Sequence, residues 1–451
     1  MGCAGNHEVH TPNMDYLAKL GVRFPNAYTP CPVCSPARAS FWTGTMPSWH
    51  GVHDHLNDKG HPGIGDQSTL ADALQRAGYL TAQIGKWHCH TSEDNRPRPG
   101  FDRWFSHRAG TRARFGEQIF WNQEDTFRSH GFQAPMITQR ALDFLRVARN
   151  AERPFLCAVG YTNTHRPFTD VPERIVSRYA DTAFDTIPVE DLPSCHGRAT
   201  RPMHSDTNPE GQLRTDSPER LKVLQQYFGA VTFIDEQLGI LLDELKSLEL
   251  WDNTLVIYTS DHGFNVGHHG LAGKGNASVP QNFFDESLRI PFIAHLPRVI
   301  EGGVINDAAI CHTDTYKTLL ELARAHETDD APRPGKPWLP LLDSAPAGND
   351  SWRDEIICEY GNARMIRTDR YKLTLRYPGP NGVFPDELYD LKQDPRETTN
   401  IIENEGTAEV VETLTATIAE FFATYSHPSR NGLQVSSLPA ANVKEPWRVN
   451  R

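Results

Sequence analysis

Short apolar segments alternate with longer amphipathic segments along most of this sequence, and this alternation constrains the fold more than any other feature. The longer segments, 135–149 and 217–248, have apolar residues at the spacing of one helix face. The apolar segments, which we predict to be strands, are residues 79–85, 155–161, 254–260 and 290–296. Because short buried strands separated by helices are typical of parallel sheets, the sequence predicts an α/β fold whose mostly parallel sheet lies between layers of helices.

The pattern changes after residue 344. Short strands with turn residues between them replace the long helices, and an amphipathic helix, 407–425, follows them. The segment 344–350 is rich in turn-forming residues and is typical of a link. We therefore expect two units, an α/β domain over residues 1–344 and an α+β subdomain over residues 345–451. The second should contain a small antiparallel sheet with one packed helix.

The composition argues against two classes of partner. The chain of 451 residues has a formal net charge of −12, whereas nucleic acid phosphates bind basic surfaces. No apolar run approaches the roughly 18 residues that a membrane-spanning helix needs. The sequence therefore predicts neither a nucleic acid nor a membrane as a partner, although a local basic pocket can still bind an anionic substrate.

The cysteines form neither a disulfide framework nor a complete zinc site. Of the eight cysteines, only Cys31 and Cys34 are spaced as a CxxC pair, and no second such pair accompanies them. Ser35 is predicted to cap a helix and Pro36 to be its first residue, so Cys34 should lie just before the helix. The positive end of a helix favours anions and lowers a thiol pKa, and Arg38 on the first turn can reach the same place. The residues alone leave open whether this is an anion site or a capped surface helix.

Titratable residues follow three of the predicted strands. In open α/β sheets, ligands bind beyond the carboxyl ends of the strands, so these side chains are expected to meet at one edge of the sheet. They are Lys86 and His88 after the first strand, His165 after the second, and Asp261, His262 and Lys274 after the third.

Sequence blocks spread along the chain resemble those of the formylglycine-dependent type I sulfatases of the alkaline phosphatase-like superfamily. The blocks are Cys34-x-Pro36-x-Arg38 with the following "FWTG", then "AGYLTAQIGKWH", "TLVIYTSDHG" and "RTDRYKLTLRY", in that order. The resemblance implies that residues 1–344 form the catalytic domain of a sulfuric ester hydrolase. It also implies that a formylglycine-generating maturation enzyme oxidises Cys34 to Cα-formylglycine. A disulfide between Cys31 and Cys34 would block this conversion, so none is expected.

The resemblance assigns a role to each candidate residue. The hydrated aldehyde carries two hydroxyls, of which one attacks the sulfur of a sulfate ester and the other expels sulfate after deprotonation. His88 is implied to remove that proton, whereas His165 and Lys274 are implied to act on the leaving group. Arg38 and Lys86 are implied to hold the diol and the sulfate oxygens.

A divalent metal is also implied, with Cys34 (as the diol), Asp261 and His262 as ligands. Calcium is favoured, but Mg²⁺, Mn²⁺ and Zn²⁺ stay open because an imidazole departs from an all-oxygen shell. Members of the family supply two further carboxylates from an Asp-Asp pair at the end of a first strand, and this sequence contains no matching block. We therefore expect that strand to be missing from the chain and metal binding to be weak. No signal peptide is visible, which leaves the compartment open.

The substrate expected from the resemblance is a sulfate ester of a carbohydrate or an aryl alcohol. Three alternatives stay open. The first is a phosphonate monoester or phosphodiester hydrolase with the same modified cysteine. The second is a truncated sulfatase-like protein with little activity. The third is a cysteine hydrolase in which the unmodified thiol of Cys34 is the nucleophile.

Overall fold

The computed structural model describes residues 1–56, 61–91, 96–107, 116–203, 217–342, 352–378 and 384–435. The predicted boundary at residue 344 and the predicted link 344–350 lie outside these residues. The α-helices within them are Pro12–Leu20, Cys34–Thr43, Pro47–His50, Leu70–Arg76, Gln133–Asn150, Glu173–Val176, Pro218–Ser247, Asp285–Leu288, His312–Ala323 and Ala408–Thr424.

One half of the central sheet has five strands. In spatial order they are Asp125–His130, Glu117–Asn122, Arg103–His107, Leu80–Gly85 and Phe155–Gly160. As predicted, Leu80–Gly85 and Phe155–Gly160 are parallel, with Leu80 opposite Phe155 and Gly85 opposite Gly160. The two outer strands form an antiparallel hairpin that the sequence analysis did not identify. We call this set of strands the first half-sheet.

The second half-sheet has four strands, in the order Val304–Ile305, Val22–Arg23, Phe292–His295 and Val256–Thr259. Its pairing corrects one expectation, because Phe292–His295 runs antiparallel to Val256–Thr259 rather than parallel to it. A parallel neighbour needs a long crossover over one face of the sheet, whereas an antiparallel neighbour does not. The connection between these strands carries only short elements, among them the four-residue helix Asp285–Leu288. The central sheet is therefore mixed.

A cleft separates the two half-sheets. Within the described part of the chain, Phe155–Gly160 pairs only with Leu80–Gly85, and Val256–Thr259 pairs only with Phe292–His295. Every residue of the two facing strands is partly exposed, although most of their side chains are apolar. The cavity that both strands line has a volume of about 1720 Å³. Two neighbouring strand edges therefore face each other without a partner between them.

Helices cover both faces of this cleft. On one face lie Phe41 and Trp42 of the helix Cys34–Thr43, packed near Leu156 and Ala158 of the first half-sheet. On the other face, Val231 and Leu238 of the helix Pro218–Ser247 line the cavity. The cleft is thus a gap within the sheet layer of a three-layer domain, and it is not a surface groove.

The C-terminal unit forms the small antiparallel sheet that the sequence predicts. Its strands are Ile356–Tyr360, Ala363–Arg367, Tyr371–Arg376 and Glu387–Asp390, paired in chain order. The helix Ala408–Thr424 packs on this sheet through Leu414, Ile418 and Phe422, which are buried with the apolar side chains of the strands.

A buried ion cluster fastens the C-terminal sheet to the larger domain. The ammonium group of Lys372 lies 2.7 Å from Asp285 Oδ1 and 2.6 Å from Glu397 Oε1. Burial alone would lower the pKa of Lys372, but the two carboxylates raise it above its ordinary value. Because Asp285 belongs to the larger domain, a buried charge holds the two units together.

No helix in the described parts of the chain is both long enough and apolar enough to cross a membrane.

Candidate active site

The helix that carries Cys34 begins two residues earlier than predicted. Val33, in an extended conformation, is its N-cap, and Cys34 is its first helical residue. The hydroxyl of Ser35 does not cap the helix, because it accepts a hydrogen bond of 3.1 Å from the backbone N–H of Leu56. Pro36 then falls in the first turn, where a missing N–H leaves no helix bond unmade. Cys34 therefore lies at the positive end of the helix, as the sequence indicates, and is 1% exposed.

The sulfur of Cys34 is surrounded by positively charged and polar groups. The ammonium group of Lys274 donates a hydrogen bond to Sγ, and Nε2 of His262 lies 3.1 Å from it. Burial alone would raise the pKa of the Cys34 thiol, but Lys274, Lys86 and His262 lower it well below its ordinary value. The site thus stabilises a negative charge at the position of this sulfur.

His262 presents one defined nitrogen to the site. Its Nδ1 lies 2.6 Å from the carbonyl oxygen of Gly263. Because a carbonyl only accepts hydrogen bonds, Nδ1 carries a proton, and Nε2 is the nitrogen that faces the other groups of the site. Nε2 lies 3.0 Å from Lys274 Nζ. His262 can therefore act as a hydrogen-bond acceptor or as a metal ligand through Nε2.

Arg38 connects the two half-sheets at the active-site end of the cleft. Its Nε donates to Asp261 Oδ2 at 2.7 Å, and its Nη1 donates to the carbonyl oxygen of Lys86 at 2.8 Å. Burial alone would raise the pKa of Asp261, but His262 and Arg38 hold it well below its ordinary range. Lys86 Nζ lies 3.9 Å from the same carboxylate. Asp261 is therefore ionised and shared between two cations.

His88 is held close to Cys34 by an unusual backbone conformation. Its φ of +60° lies in the left-handed region that residues other than glycine rarely adopt. A ring nitrogen of His88, a ring nitrogen of His55 and the sulfur of Cys34 all lie within 4.8 Å of one another. Burial lowers the pKa of His88 to about 4, so its imidazole is neutral near pH 7.

His165 lies in the segment after Phe155–Gly160 and lines the same cavity as Cys34. Its Nδ1 lies 2.8 Å from the carbonyl oxygen of Arg166, so Nδ1 carries a proton. The structure thus places seven of the eight predicted residues on one cavity and the eighth, His88, beside Cys34. Those that line the cavity are Cys34, Arg38, Lys86, His165, Asp261, His262 and Lys274.

Sequence reasoning missed His55. This residue follows the short helix Pro47–His50 and does not stand at the carboxyl end of a strand, so the rule that found the other residues could not find it. The one signal in the sequence was that His53 and His55 stand two residues apart. Such a pair by itself does not distinguish a functional site from a surface loop.

Comparison with known families agrees with this geometry. A family model described as Sulfatase matches residues 1–325. The chain belongs to the sulfatase family. A second model, described as N-sulphoglucosamine sulphohydrolase, C-terminal, matches residues 280–423 of this sulfatase and spans most of the C-terminal sheet and its helix. The protein is thus a sulfate ester hydrolase.

Relatives match nearly the whole chain. The uncharacterized sulfatase YidJ of Escherichia coli is 31% identical, and the match covers 90% of this chain and 80% of that protein. The N-acetylglucosamine-6-O-sulfatase of Bacteroides thetaiotaomicron is 27% identical, with 89% and 80% covered.

Solved structures share the fold. One, a complex with its substrate D-glucosamine-2-N,6-O-disulfate, has a TM-score of 0.78 at 26% identity and covers 94% of this sulfatase and 95% of that chain. The phosphonate monoester hydrolase of Agrobacterium radiobacter has a TM-score of 0.69 at 21% identity, with 94% and 93% covered, and shows the fold alone.

The environment of Cys34 predicts the reactivity of the unconverted thiol. Replacing Lys274 by Met removes the nearest cation, so the pKa of Cys34 should rise and alkylation by iodoacetamide at pH 7 should slow roughly tenfold. Above pH 10, where the thiol ionises in both forms, the rates should converge. The rates are measured by mass spectrometry of the peptide that contains Cys34.

The matched control is Lys317→Met, which removes a partly exposed ammonium group paired with Glu327. It should leave the alkylation rate unchanged. Equal rates in the Lys274→Met variant and the parent at pH 7 would contradict the contact between Lys274 and Cys34.

Proposed function

We propose that this sulfatase hydrolyses sulfate esters of saccharides through a formylglycine gem-diol made from Cys34. One observation carries the proposal: the first residue of a buried helix places the Cys34 side chain in contact with Lys274, in a cavity that Arg38 and Lys86 also line. This pocket favours an anion at that position. Sulfate is such an anion, and the maturation enzyme is the partner that the conversion requires.

The saccharide part of the proposal rests on relatives. One relative is an N-acetylglucosamine-6-O-sulfatase, and one similar solved structure is a complex with its substrate D-glucosamine-2-N,6-O-disulfate. An aryl sulfate would serve as a test substrate rather than as the natural one.

In the proposed mechanism, one diol hydroxyl at residue 34 lies where the thiol sulfur of Cys34 lies and loses its proton to solvent, because Lys274 and Lys86 stabilise the resulting alkoxide. This oxygen then attacks the sulfur atom of the ester. The bond from sulfur to the sugar oxygen breaks as the new bond forms. The leaving oxygen takes a proton from His165, while Lys274 stabilises its developing charge. Arg38 and Lys86 hold the oxygens that carry negative charge. The residue then carries a sulfate group on one of its two oxygens.

His88 is suited to the second step. Because burial keeps its imidazole neutral, it can accept the proton of the second hydroxyl. The electron pair of that oxygen then forms the aldehyde, and the bond between carbon and the sulfated oxygen breaks to release sulfate. Water adds to the aldehyde and restores the diol. A serine has only one hydroxyl, so it has no group that could expel the sulfate in this way.

A divalent cation, with calcium favoured over Mg²⁺, Mn²⁺ and Zn²⁺, would polarise a sulfate oxygen if it were held by Asp261, His262 and an oxygen of residue 34. The donor atoms of these residues lie within 4.8 Å of one another. However, Lys274 already binds His262, and Arg38 already binds Asp261. One carboxylate among several cations falls short of the six to eight oxygen ligands that calcium takes. The described residues therefore do not fit the metal by themselves.

We propose that an extended segment in the cleft supplies the remaining carboxylates. The edges of Phe155–Gly160 and Val256–Thr259 can each bind one side of a strand, and the apolar lining matches apolar side chains on both faces. Both strands lead toward the active site, since Lys86 and Asp261 meet at Arg38. A parallel strand between them would place its last residues beside these cations, where acidic side chains compensate the charge.

Mass spectrometry and substitution at Cys34 test the proposed nucleophile. In protein from a host with the maturation enzyme, the Cys34 peptide should be lighter by about 18 Da, since a thiol becomes an aldehyde. Cys34→Ala should abolish release of sulfate, and Cys34→Ser should at most accumulate a sulfated enzyme. Cys3→Ser, which changes a partly buried cysteine at the start of the chain, should retain activity. Sustained turnover by Cys34→Ser, or an unconverted and active Cys34, would overturn the mechanism.

Substitution of His165 tests the leaving-group role. His165→Ala should slow hydrolysis of a sugar sulfate by roughly 100-fold or more, because its alkoxide needs a proton. It should slow nitrophenyl sulfate much less, because nitrophenolate leaves without one. His130→Ala, at an exposed histidine of the strand Asp125–His130, is the control and should affect neither substrate. Equal losses on both substrates would remove His165 from this role.

A strand appended to the chain tests the proposal for the cleft. Met1 lines the same cavity, so a segment of roughly six apolar residues, ending in Asp-Asp and a short linker, can be joined there. It should raise the melting temperature and create one tight calcium site, measured by calorimetry. A matched segment ending in Asn-Asn should raise the melting temperature but bind calcium weakly. Tight calcium binding by the chain without either segment would contradict the proposal.

A further inference from the structure

His55 stands next to the proposed nucleophile without a part in the mechanism above. Its ring lies beside that of His88, with 5.6 Å between the ring centroids and an angle of 36° between the ring planes. The nearest ring nitrogens of both histidines and the sulfur of Cys34 are mutually within 4.8 Å. Two imidazoles therefore lie close to residue 34, and the contacts that hold His55 in place determine its position there.

The residues on either side of His55 are anchored to different parts of the protein. The backbone N–H of Leu56 donates to Ser35, which is adjacent to Cys34 in the chain. The carboxyl group of Asp54 accepts a hydrogen bond of 2.8 Å from the hydroxyl of Tyr360 in the C-terminal sheet. His53 Nε2 lies 2.7 Å from the carbonyl oxygen of Arg430. These three anchors hold His55 in place beside the nucleophile.

The thiol form leaves ring nitrogens without partners at this place. Nδ1 of His55 is buried and has no hydrogen-bond partner among the described residues. The two nitrogens of His88 are buried as well and make no hydrogen bond of good geometry there. Because an unsatisfied buried polar atom is costly, such atoms call for an explanation. A cysteine has one sulfur, and Lys274 and His262 already contact it.

The converted residue has one heteroatom more than the thiol. A gem-diol carries two oxygens on the carbon that carries one sulfur in Cys34. If the first oxygen takes the position of the sulfur, the second needs its own polar neighbours. One ring nitrogen of His55 and one of His88 lie within 4.8 Å of the sulfur of Cys34, and Nδ1 of His55 and both nitrogens of His88 are buried without a hydrogen bond among the described residues, so these rings can serve the second oxygen.

We propose that His55 binds the second hydroxyl of the diol at residue 34 and directs its proton toward His88. This inference rests on the proposed function, because it needs the converted residue. His55 donates a hydrogen bond to the hydroxyl oxygen, and the hydroxyl donates to His88. When His88 takes the proton, the oxygen–hydrogen bond breaks, its electron pair forms the carbonyl bond of the aldehyde, and the bond from carbon to the sulfated oxygen breaks to release sulfate. His55 keeps its own proton throughout, so no further reactant is needed.

The hydration state of residue 34 provides a test that does not depend on turnover. An aminooxy probe reacts with the aldehyde but not with the diol, so its rate reports the fraction of aldehyde. Loss of a hydrogen bond to the diol should raise that fraction, and His55→Ala should react roughly fivefold to tenfold faster than the converted parent. His55→Asn keeps an N–H donor near the position of Nδ1 and should restore part of the slower rate.

Turnover gives a second readout. With a sugar sulfate, His55→Ala should lower kcat by roughly tenfold or more, lower KM with it so that kcat/KM changes little, and accumulate the sulfated enzyme, seen as an added sulfate on the residue 34 peptide. The control His130→Ala should match the parent in both assays. If His55→Ala does not fold, His55→Asn and the parent still differ in the expected direction.

The outcomes separate this inference from the proposed function. A converted parent that traps the probe at the same rate as His55→Ala overturns the role of His55 and leaves the sulfatase mechanism intact. A converted parent that cleaves no sulfate ester overturns the proposed mechanism, while the difference in trapping rate still decides whether His55 binds the diol. An unconverted Cys34 overturns both.

Discussion

The active site depends on two hydrogen bonds that the guanidinium group of Arg38 donates. This group binds the carboxylate of Asp261 from one half-sheet and the carbonyl oxygen of Lys86 from the other, at the point where no strand connects the two. A planar group with several donors in a fixed geometry holds both partners in a defined orientation, which a single ammonium nitrogen on a flexible side chain does less well. The distance between the strand ends, and hence the width of the pocket, therefore depends on one side chain of the helix that also carries Cys34.

The same contact sets the charge of the pocket. Asp261 is buried and ionised. Removing Arg38 would leave this carboxylate with less positive charge beside it, and the loss of one partner of a buried ion pair costs about 3–5 kcal/mol of stability in other proteins. With Asp261 bound to Arg38, the positive charge of Lys274 remains available to the group at residue 34. The pocket thus favours an anion because the carboxylate of Asp261 is already engaged by Arg38.

The sequence predicted the features that depend on local pattern. Strand ends located Lys86, His165 and Asp261, because the carboxyl ends of parallel strands meet at one edge whatever the rest of the chain does. Two features depended on distant residues and were not predictable. The hydroxyl of Ser35 bonds to Leu56 and does not cap its own helix, and the direction of Phe292–His295 follows from a connection without a crossover helix. His55 reaches the site through anchors that lie far apart in sequence.

The anchoring of the segment around His55 has a consequence for how the two units of the protein can diverge. Tyr360 and Arg430 belong to the C-terminal unit, yet they bind Asp54 and His53, the two residues that precede His55 in the chain. The two family matches also overlap, over residues 280–325, so neither unit ends cleanly where the other begins. A chimera that joins this larger domain to the C-terminal unit of another sulfatase would inherit foreign partners for His53 and Asp54. Recombination between relatives is therefore constrained by the chemistry of the pocket as well as by the packing of the interface.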